Sequence, residues 1–167
     1  MSKIIPIPKI PGTIKAEEFR PINILHIFEK ILELVVKEQL MNHLTTDGLL
    51  IPEQSGYREG HSCETALNLV LSKWKGFIEQ KYEVLAVFLD LKRAFETIAR
   101  PLLLDTLQSF GIQGIPLKWF TDYLEGRTQI TSFLNSSSDP LENTLGVPQG
   151  SALGPILFIM YINDIKK

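Results

Sequence analysis

Only one cysteine, Cys63, occurs in the 167 residues, so no disulfide framework and no cysteine-based zinc site can form within the chain, and a reducing compartment is expected. Histidine is almost as scarce. His26, His43 and His61 have no metal-ligand spacing and read as ordinary surface or core side chains. Long apolar runs are missing as well: the longest, Ile156 to Ile162, falls far short of the ~20 residues that cross a bilayer. Pro6 and Pro8 interrupt what a signal peptide would keep apolar, so the expectation is an intracellular protein of cytoplasm or nucleus, with no membrane partner. Neither sign of charge is in excess, with 17 Lys and Arg against 19 Asp and Glu. A net charge of -2 gives no global pull toward nucleic acid and leaves that role to a local basic cleft. Internal repeats and low-complexity tracts are absent too. What is present, 44% hydrophobic and 22% charged residues, describes a globular chain of one domain or two small subdomains sharing a core.

The pattern along the chain predicts an α+β fold. Lys3 to Lys9 alternates isoleucine with proline and lysine and reads as an extended edge segment, since proline cannot donate to a ladder. A helix over about 24–44 is expected with Ile24, Ile27, Phe28, Ile31, Leu34 and Val35 on its buried face and Glu33 and Lys37 paired on the other. Asp47-Gly48 stops it, and 54–60 is a polar, glycine-bearing loop. Ser62 caps a second helix with Cys63 buried at its start and Ala66, Leu67, Val70, Trp74, Phe77 and Ile78 as its face. Val84 to Leu89 is apolar throughout and too short for a helix, which predicts a strand buried on both faces and ending at Asp90. Pro101–Phe110 and Pro116–Glu125 each carry proline in the first turn and glycine just past the last, as short helices do. Thr128–Leu134 and Leu141–Leu145 suggest a hairpin with a longer loop, and a loop from Gly146 to Gly154 leads into an apolar helix from Pro155 to near Asp164. Trp74, Trp119, Phe120 and Tyr123 are assigned to the core.

Two segments carry chemistry. A carboxylate ending an apolar strand is costly unless it meets a cation or a donor, so Asp90 reads either as a loop cap or as a ligand. Gly146-Val147-Pro148-Gln149-Gly150-Ser151-Ala152-Leu153-Gly154-Pro155 lets backbone approach a ligand closely and holds one amide side chain between glycines; a plain structural turn is the alternative. Taken together, Phe88-Leu89-Asp90-Leu91-Lys92-Arg93-Ala94-Phe95-Glu96-Thr97-Ile98 resembles motif A of reverse transcriptases of non-LTR retrotransposons, and the segment from Gly146 to Phe158 resembles their motif B. Ile5-Pro6-Ile7-Pro8-Lys9, Phe19-Arg20-Pro21-Ile22-Asn23-Ile24-Leu25, Gln54-Ser55-Gly56-Tyr57-Arg58 and Gly126-Arg127-Thr128-Gln129 fit the same family in the same order.

The resemblance implies RNA-templated DNA synthesis by two-metal nucleotidyl transfer, with an RNA template, a DNA primer and deoxynucleoside triphosphates as partners and Mg2+, or Mn2+, as cofactor. Asp90 and the Leu91 carbonyl would be metal ligands, and Phe95 the steric gate against a 2′-hydroxyl, with core packing as its alternative. Arg58 would fork onto the triphosphate, with Arg20 a second cation for that cradle or for template. Gln149, backed by Gly150, would lie along the incoming nucleotide, and Arg127 would line the nucleic-acid groove. Glu96 stands where relatives often carry aspartate. The family's motif C, an aromatic-x-Asp-Asp sequence, does not occur in the chain, whose last stretch from Tyr161 resembles what precedes it; the expectation is a right-hand polymerase incomplete before motif C and inert by itself. Fingers are expected over 1–82 and an incomplete palm over 83–167, with part of 100–150 returning to the fingers. Two rivals stand beside this: a non-catalytic remnant that binds nucleic acid or a protein through the same groove, and an unrelated metal-dependent hydrolase, which would need a second carboxylate converging on Asp90.

Overall fold

A computed structural model describes residues 1–164 and contains ten elements of α-helix or strand plus one 3-10 turn at Ala16–Glu18. In chain order these are β1 (Ser2–Pro8), β2 (Phe19–Ile24), α1 (Ile27–Thr46), α2 (Cys63–Glu79), α3 (Arg100–Ser109), α4 (Gly114–Leu124), β3 (Thr128–Phe133), β4 (Ser136–Ser137), β5 (Leu141–Glu142) and α5 (Gly154–Tyr161). The mixed α and β content expected from the pattern is present.

The first segment is not simply an edge. β1 pairs antiparallel with β2 from Lys3 opposite Ile24 to Pro8 opposite Phe19, and its first residues also pair parallel with β3, from Ser2 opposite Gln129 to Ile4 opposite Thr131. Its prolines explain where that second ladder stops: β3 pairs no further than Ile4, so Pro6 and Pro8 lie where only one neighbour is present. Pro6 faces Pro21, so neither is asked for an N–H. The expected hairpin forms in part. β3 pairs with β5 at Thr128 and Gln129, while the segment between them folds back on its own as β4, opposite Ser132 and Phe133.

The core is helical. Leu103 and Leu107 from α3, Phe120 and Leu124 from α4, and Ile156, Leu157, Ile159 and Met160 from α5 meet Leu40 and Leu44 from the second half of α1, with Ile98 and Val147 closing the cluster. Prolines in the first turns of α3 and α5 need no N–H partner there, and Gly111 and Gly126 take left-handed conformations just past α3 and α4. Asn163 fastens the end of α5 to the loop after α1, accepting from the Ile51 N–H at 3.0 Å and donating to the Leu49 carbonyl at 3.2 Å.

Four expectations about burial are corrected. α1 forms, but Ile24, Ile27, Phe28, Ile31, Leu34 and Val35 are exposed, and the buried face is Glu33, Leu40 and Leu44. In the first half of α1 Glu29, Lys30 and Glu33 share one arc and the apolar residues the rest, but the core lies on the Glu33 side, with Leu40 and Leu44, so the apolar arc names a face that nothing described covers. α2 has the expected Ser62 cap, completed by a reciprocal bond with Thr65, yet buries no residue; Cys63 is exposed and Trp74 only half-buried. The apolar run 84–89 forms no strand: Leu85 is 91% and Phe88 86% exposed. A strand needs a neighbour for its ladder, and no described strand pairs with this run. Finally, Glu33 is not a solvent-facing partner of Lys37 but is 1% exposed.

Candidate functional site

Two segments distant in sequence are locked backbone to backbone. The turn after Asp90 passes through Arg93, at φ 56°, and closes with the Glu96 N–H on the Arg93 carbonyl at 2.9 Å. Against it lies the glycine-rich loop: the Gly146 N–H donates to the Ile98 carbonyl and the Val147 N–H to the Phe95 carbonyl, both at 2.8 Å. Gly146 is required by two independent facts. Its φ is +71°, and a Cβ there would stand 2.5 Å from the Phe95 carbonyl oxygen and 2.6 Å from Glu96 Cα.

Arg100 fixes the approach to this loop from below. Buried in the first turn of α3, it donates from Nε to the Gly146 carbonyl at 2.9 Å, from Nη2 to the Leu145 carbonyl at 3.1 Å, and from Nη1 to the Asn143 carbonyl. Burial, reinforced by the nearby Arg127, pulls its guanidinium below the ordinary arginine value. Further along, the Asn23 N–H of β2 donates to the Gln149 carbonyl at 2.8 Å, and Gly150, at φ +106°, leaves so little room that a Cβ would meet the Asn23 carbonyl at 3.0 Å. The loop is thereby held by the turn on one side and by the sheet on the other.

A cavity of about 720 Å³ opens between the sheet, the turn and the loop. Its polar lining includes Asn23, Arg93, Glu96, Gln129, Asn143 and Gln149. Arg93 is ion-paired with Glu96, with its Nε 2.8 Å from Glu96 Oε2. Asn143 Nδ2 donates to Gln129 Oε1 at 3.2 Å. Gln149 lines the cavity, and its side-chain Oε1 is a buried acceptor with no hydrogen-bond partner among the described residues.

The other residues singled out in the sequence fall as follows. Phe95 is half-buried, its ring 5.1 Å from that of Phe158 and 6.3 Å from that of Tyr57, so the turn packs through it against α5 and the 54–60 loop. Asp90 and Leu91 are exposed on the irregular run before the turn and are not brought to the cavity lining. Arg58 uses Nη1 to hold its own loop, donating to the Ile51 and Gln54 carbonyls at 3.1 and 3.2 Å. Arg20 is exposed on β2, opposite Ile7. Arg127 is engaged internally: its guanidinium lies 4.9 Å from the Tyr123 ring centroid, Nη1 donates to the Tyr123 carbonyl at 2.9 Å, and Nη2 pairs with Glu29.

Among the described residues no three His, Cys, Asp or Glu side chains are placed to hold a metal ion. One carboxylate and one carbonyl, Asp90 and Leu91, do not make the ligand set that a pair of hard divalent cations requires. The described residues therefore do not by themselves fit a two-metal site.

Sequence reasoning missed Glu33 and Arg100. Arg100 carried a signal, because a cation in the first turn of a helix opposes the macrodipole and needs another reason to be there. Glu33 carried one too, since it shares the i, i+7, i+11 face of Leu40 and Leu44.

The profile of a family described as "Reverse transcriptase (RNA-dependent DNA polymerase)" matches residues 7–167. Similar curated proteins include the probable RNA-directed DNA polymerases from transposon BS and transposon X-element of Drosophila melanogaster. Each is 29% identical, over 89% and 94% of this chain and 16% and 17% of their own lengths. The RNA-directed DNA polymerase from mobile element jockey of the same organism is 28% identical over 89% of this chain and 16% of its own. The chain thus spans about a sixth of the length of these relatives.

Proposed function

Because the chain belongs to the reverse transcriptase (RNA-dependent DNA polymerase) family, we propose that it supplies the nucleotide-facing part of an RNA-directed DNA polymerase of a non-LTR mobile element, acting inside the cell. The observation that carries this reading is the lock between the 90–98 turn and the 146–154 loop at the rim of a cavity whose mixed lining includes Gln149, with the side-chain acceptor Gln149 Oε1 buried and unpartnered among the described residues. In this reading the incoming deoxynucleotide lies against Gln149 and Gly150, with Phe95 behind the turn as the gate for its sugar. Arg20 and Arg58 face phosphates of the nucleotide or of the template–primer duplex. Arg127, already bound to Glu29 and Tyr123, gives the smallest share of that lining. Residues 1–82 act as fingers and 83–167 as part of the palm, with part of 100–150 returning to the fingers.

The family generally uses divalent metal ions, and Mg2+, replaceable by Mn2+, is the cation this chemistry calls for. Asp90 with the Leu91 carbonyl is the ligand pair this chain would bring to such a site, which needs further carboxylates beside them.

The test is an anisotropy titration of a labelled RNA–DNA duplex with the 167-residue chain from about 50 to about 200 mM salt. Log affinity is expected to fall linearly with log salt, and Arg20→Ala and Arg58→Ala each to reduce the slope by up to about 1, with Arg127→Ala reducing it least. An absence of binding at low salt, or binding without salt dependence, overturns the reading.

A further inference from the structure

Behind the loop that presents Gln149 lies a buried hydrogen-bond chain that the proposed reaction does not use directly. Glu33 of α1, Tyr123 of α4 and Ser151 of the loop are all buried, and they meet although far apart in sequence. Tyr123 Oη lies 2.6 Å from Glu33 Oε1 and 2.9 Å from Ser151 Oγ. The Ala152 N–H donates to Glu33 Oε2 at 2.7 Å, and the Leu153 and Gly154 N–H groups both donate to Ser151 Oγ at 3.0 Å.

Only one arrangement of protons satisfies every member. Two N–H donors fill both lone pairs of Ser151 Oγ, so its single hydrogen must go to Tyr123 Oη. Tyr123 then gives its own hydrogen to Glu33 Oε1. The other oxygen of Glu33 receives the Ala152 N–H, so the side chain must accept on both oxygens, as a carboxylate does. Burial, together with the adjacent Glu33, pushes the Tyr123 phenol upward and keeps it a donor. The chain of donors runs in one direction, from the first turn of α5 through Tyr123 to the carboxylate that α1 supplies.

We propose that Glu33 is a positioning residue for Gln149: by accepting from both Ala152 and Tyr123 it sets the seat of the glycine-rich loop, and with it the direction in which the Gln149 amide faces the cavity. The loop is also attached upstream, to Phe95, Ile98 and Arg100, and at the Gln149 carbonyl, to Asn23. Beyond Gln149 it is held by the Ser151 N–H on the Pro148 carbonyl and by this chain. With Glu33 silenced, the only one of these that ties the loop to α1 and α4 is lost, the Ser151–Pro148 bond within the loop remains, and the helices that carry the core keep their contacts. The inference rests on the polymerase reading only for what Gln149 does, not for what holds it.

Glu33→Gln tests it. The amide has the same shape, but an NH2 must replace one acceptor, so either two donors face each other at Ala152 or the Tyr123 and Ser151 hydrogens collide. Glu29→Gln, at a half-exposed ion pair one turn earlier, is the control. Backbone and side-chain amide NMR with hydrogen exchange are recorded on the 167-residue chain, alongside the duplex titration. Glu33→Gln is expected to lower protection of the Ala152 amide by about tenfold or more and to shift the Gln149 side-chain amide resonances, with core amides of α3 and α5 retaining protection. Glu29→Gln should leave the Ala152 and Gln149 signals in place. Gln149 resonances unmoved in Glu33→Gln, or protection lost equally across the core, overturns the positioning role. A wild-type chain that fails to bind duplex overturns the polymerase reading instead, and the Gln149 signals still decide this one.

Discussion

Leu157 on α5 and Leu85 in the run before Asp90 are chemically the same side chain, yet one is fully buried and the other 91% exposed. The regions around them differ in the same way. α3, α4, α5 and the second half of α1 present apolar faces to one another, so each supplies what the others need. From α2 to Leu91 the chain is as apolar, with Leu67, Val70, Phe77, Val87 and Phe88, but nothing described packs over it. Burial belongs to a pair of surfaces, and a run of apolar residues states only half of the pair. A strand adds a second requirement, since its backbone groups need a ladder partner as well.

The sharpest way to break this comparison is to truncate both leucines. Leu157→Ala should cost about 2–5 kcal/mol in chemical denaturation, through lost transfer energy and the cavity left behind. Leu85→Ser should stay within about 0.5 kcal/mol. Equal costs would mean that the apolar run is buried after all.

Gly146→Ala comes next. The left-handed backbone alone sets a cost of about 1–3 kcal/mol, and the clash with the Phe95 carbonyl adds to it. Thermal melting measures the loss; a variant as stable as the parent would separate the loop from the turn.

A smaller effect depends on pH. Tyr123 holds its proton above its ordinary value of 10.0 in the folded chain, so above that pH the unfolded chain binds fewer protons than the folded one. Its contribution is fully present below about pH 10 and falls by about 1.4 kcal/mol per unit above it. Tyr123→Phe should flatten that part of the stability–pH curve, and an unchanged slope would remove Tyr123 from the buried network.

The smallest effect is expected at Asp90→Asn. With the side chain in solvent, stability measured by melting should change by no more than about 0.5 kcal/mol. A large drop would assign the carboxylate a structural bond.

Much of this could be read before the structure. Ser62 before α2, the prolines opening α3 and α5, and the glycines closing α3 and α4 announce helix ends through local backbone chemistry, and the observed ends lie close to the expected ones. The glycine-rich loop was also visible, because Gly146 and Gly150 both take left-handed conformations that other residues avoid. Glu33 was misread: its spacing to Lys37 offered a surface pair, and local spacing cannot weigh that against a phenol and an amide from two distant segments. The role of Arg100 was hidden for the same reason, since its three acceptors are carbonyls more than forty residues away.

By itself the sequence determined the helices and their approximate ends, and the family, through motifs whose order along the chain is as informative as their residues; it did not determine the strands, since 84–89 forms none and Phe19–Ile24 does. Helix ends and motifs depend on φ, on hydrogen-bonding groups a few residues apart and on identity, all of which are local. Only the tertiary structure decided which apolar faces are buried, why β1 is shared by β2 and β3, and that a carboxylate from α1 stands behind the loop at Gln149. Those outcomes depend on which surfaces meet, and a face is buried, or a buried charge satisfied, only by a partner that chain order does not name.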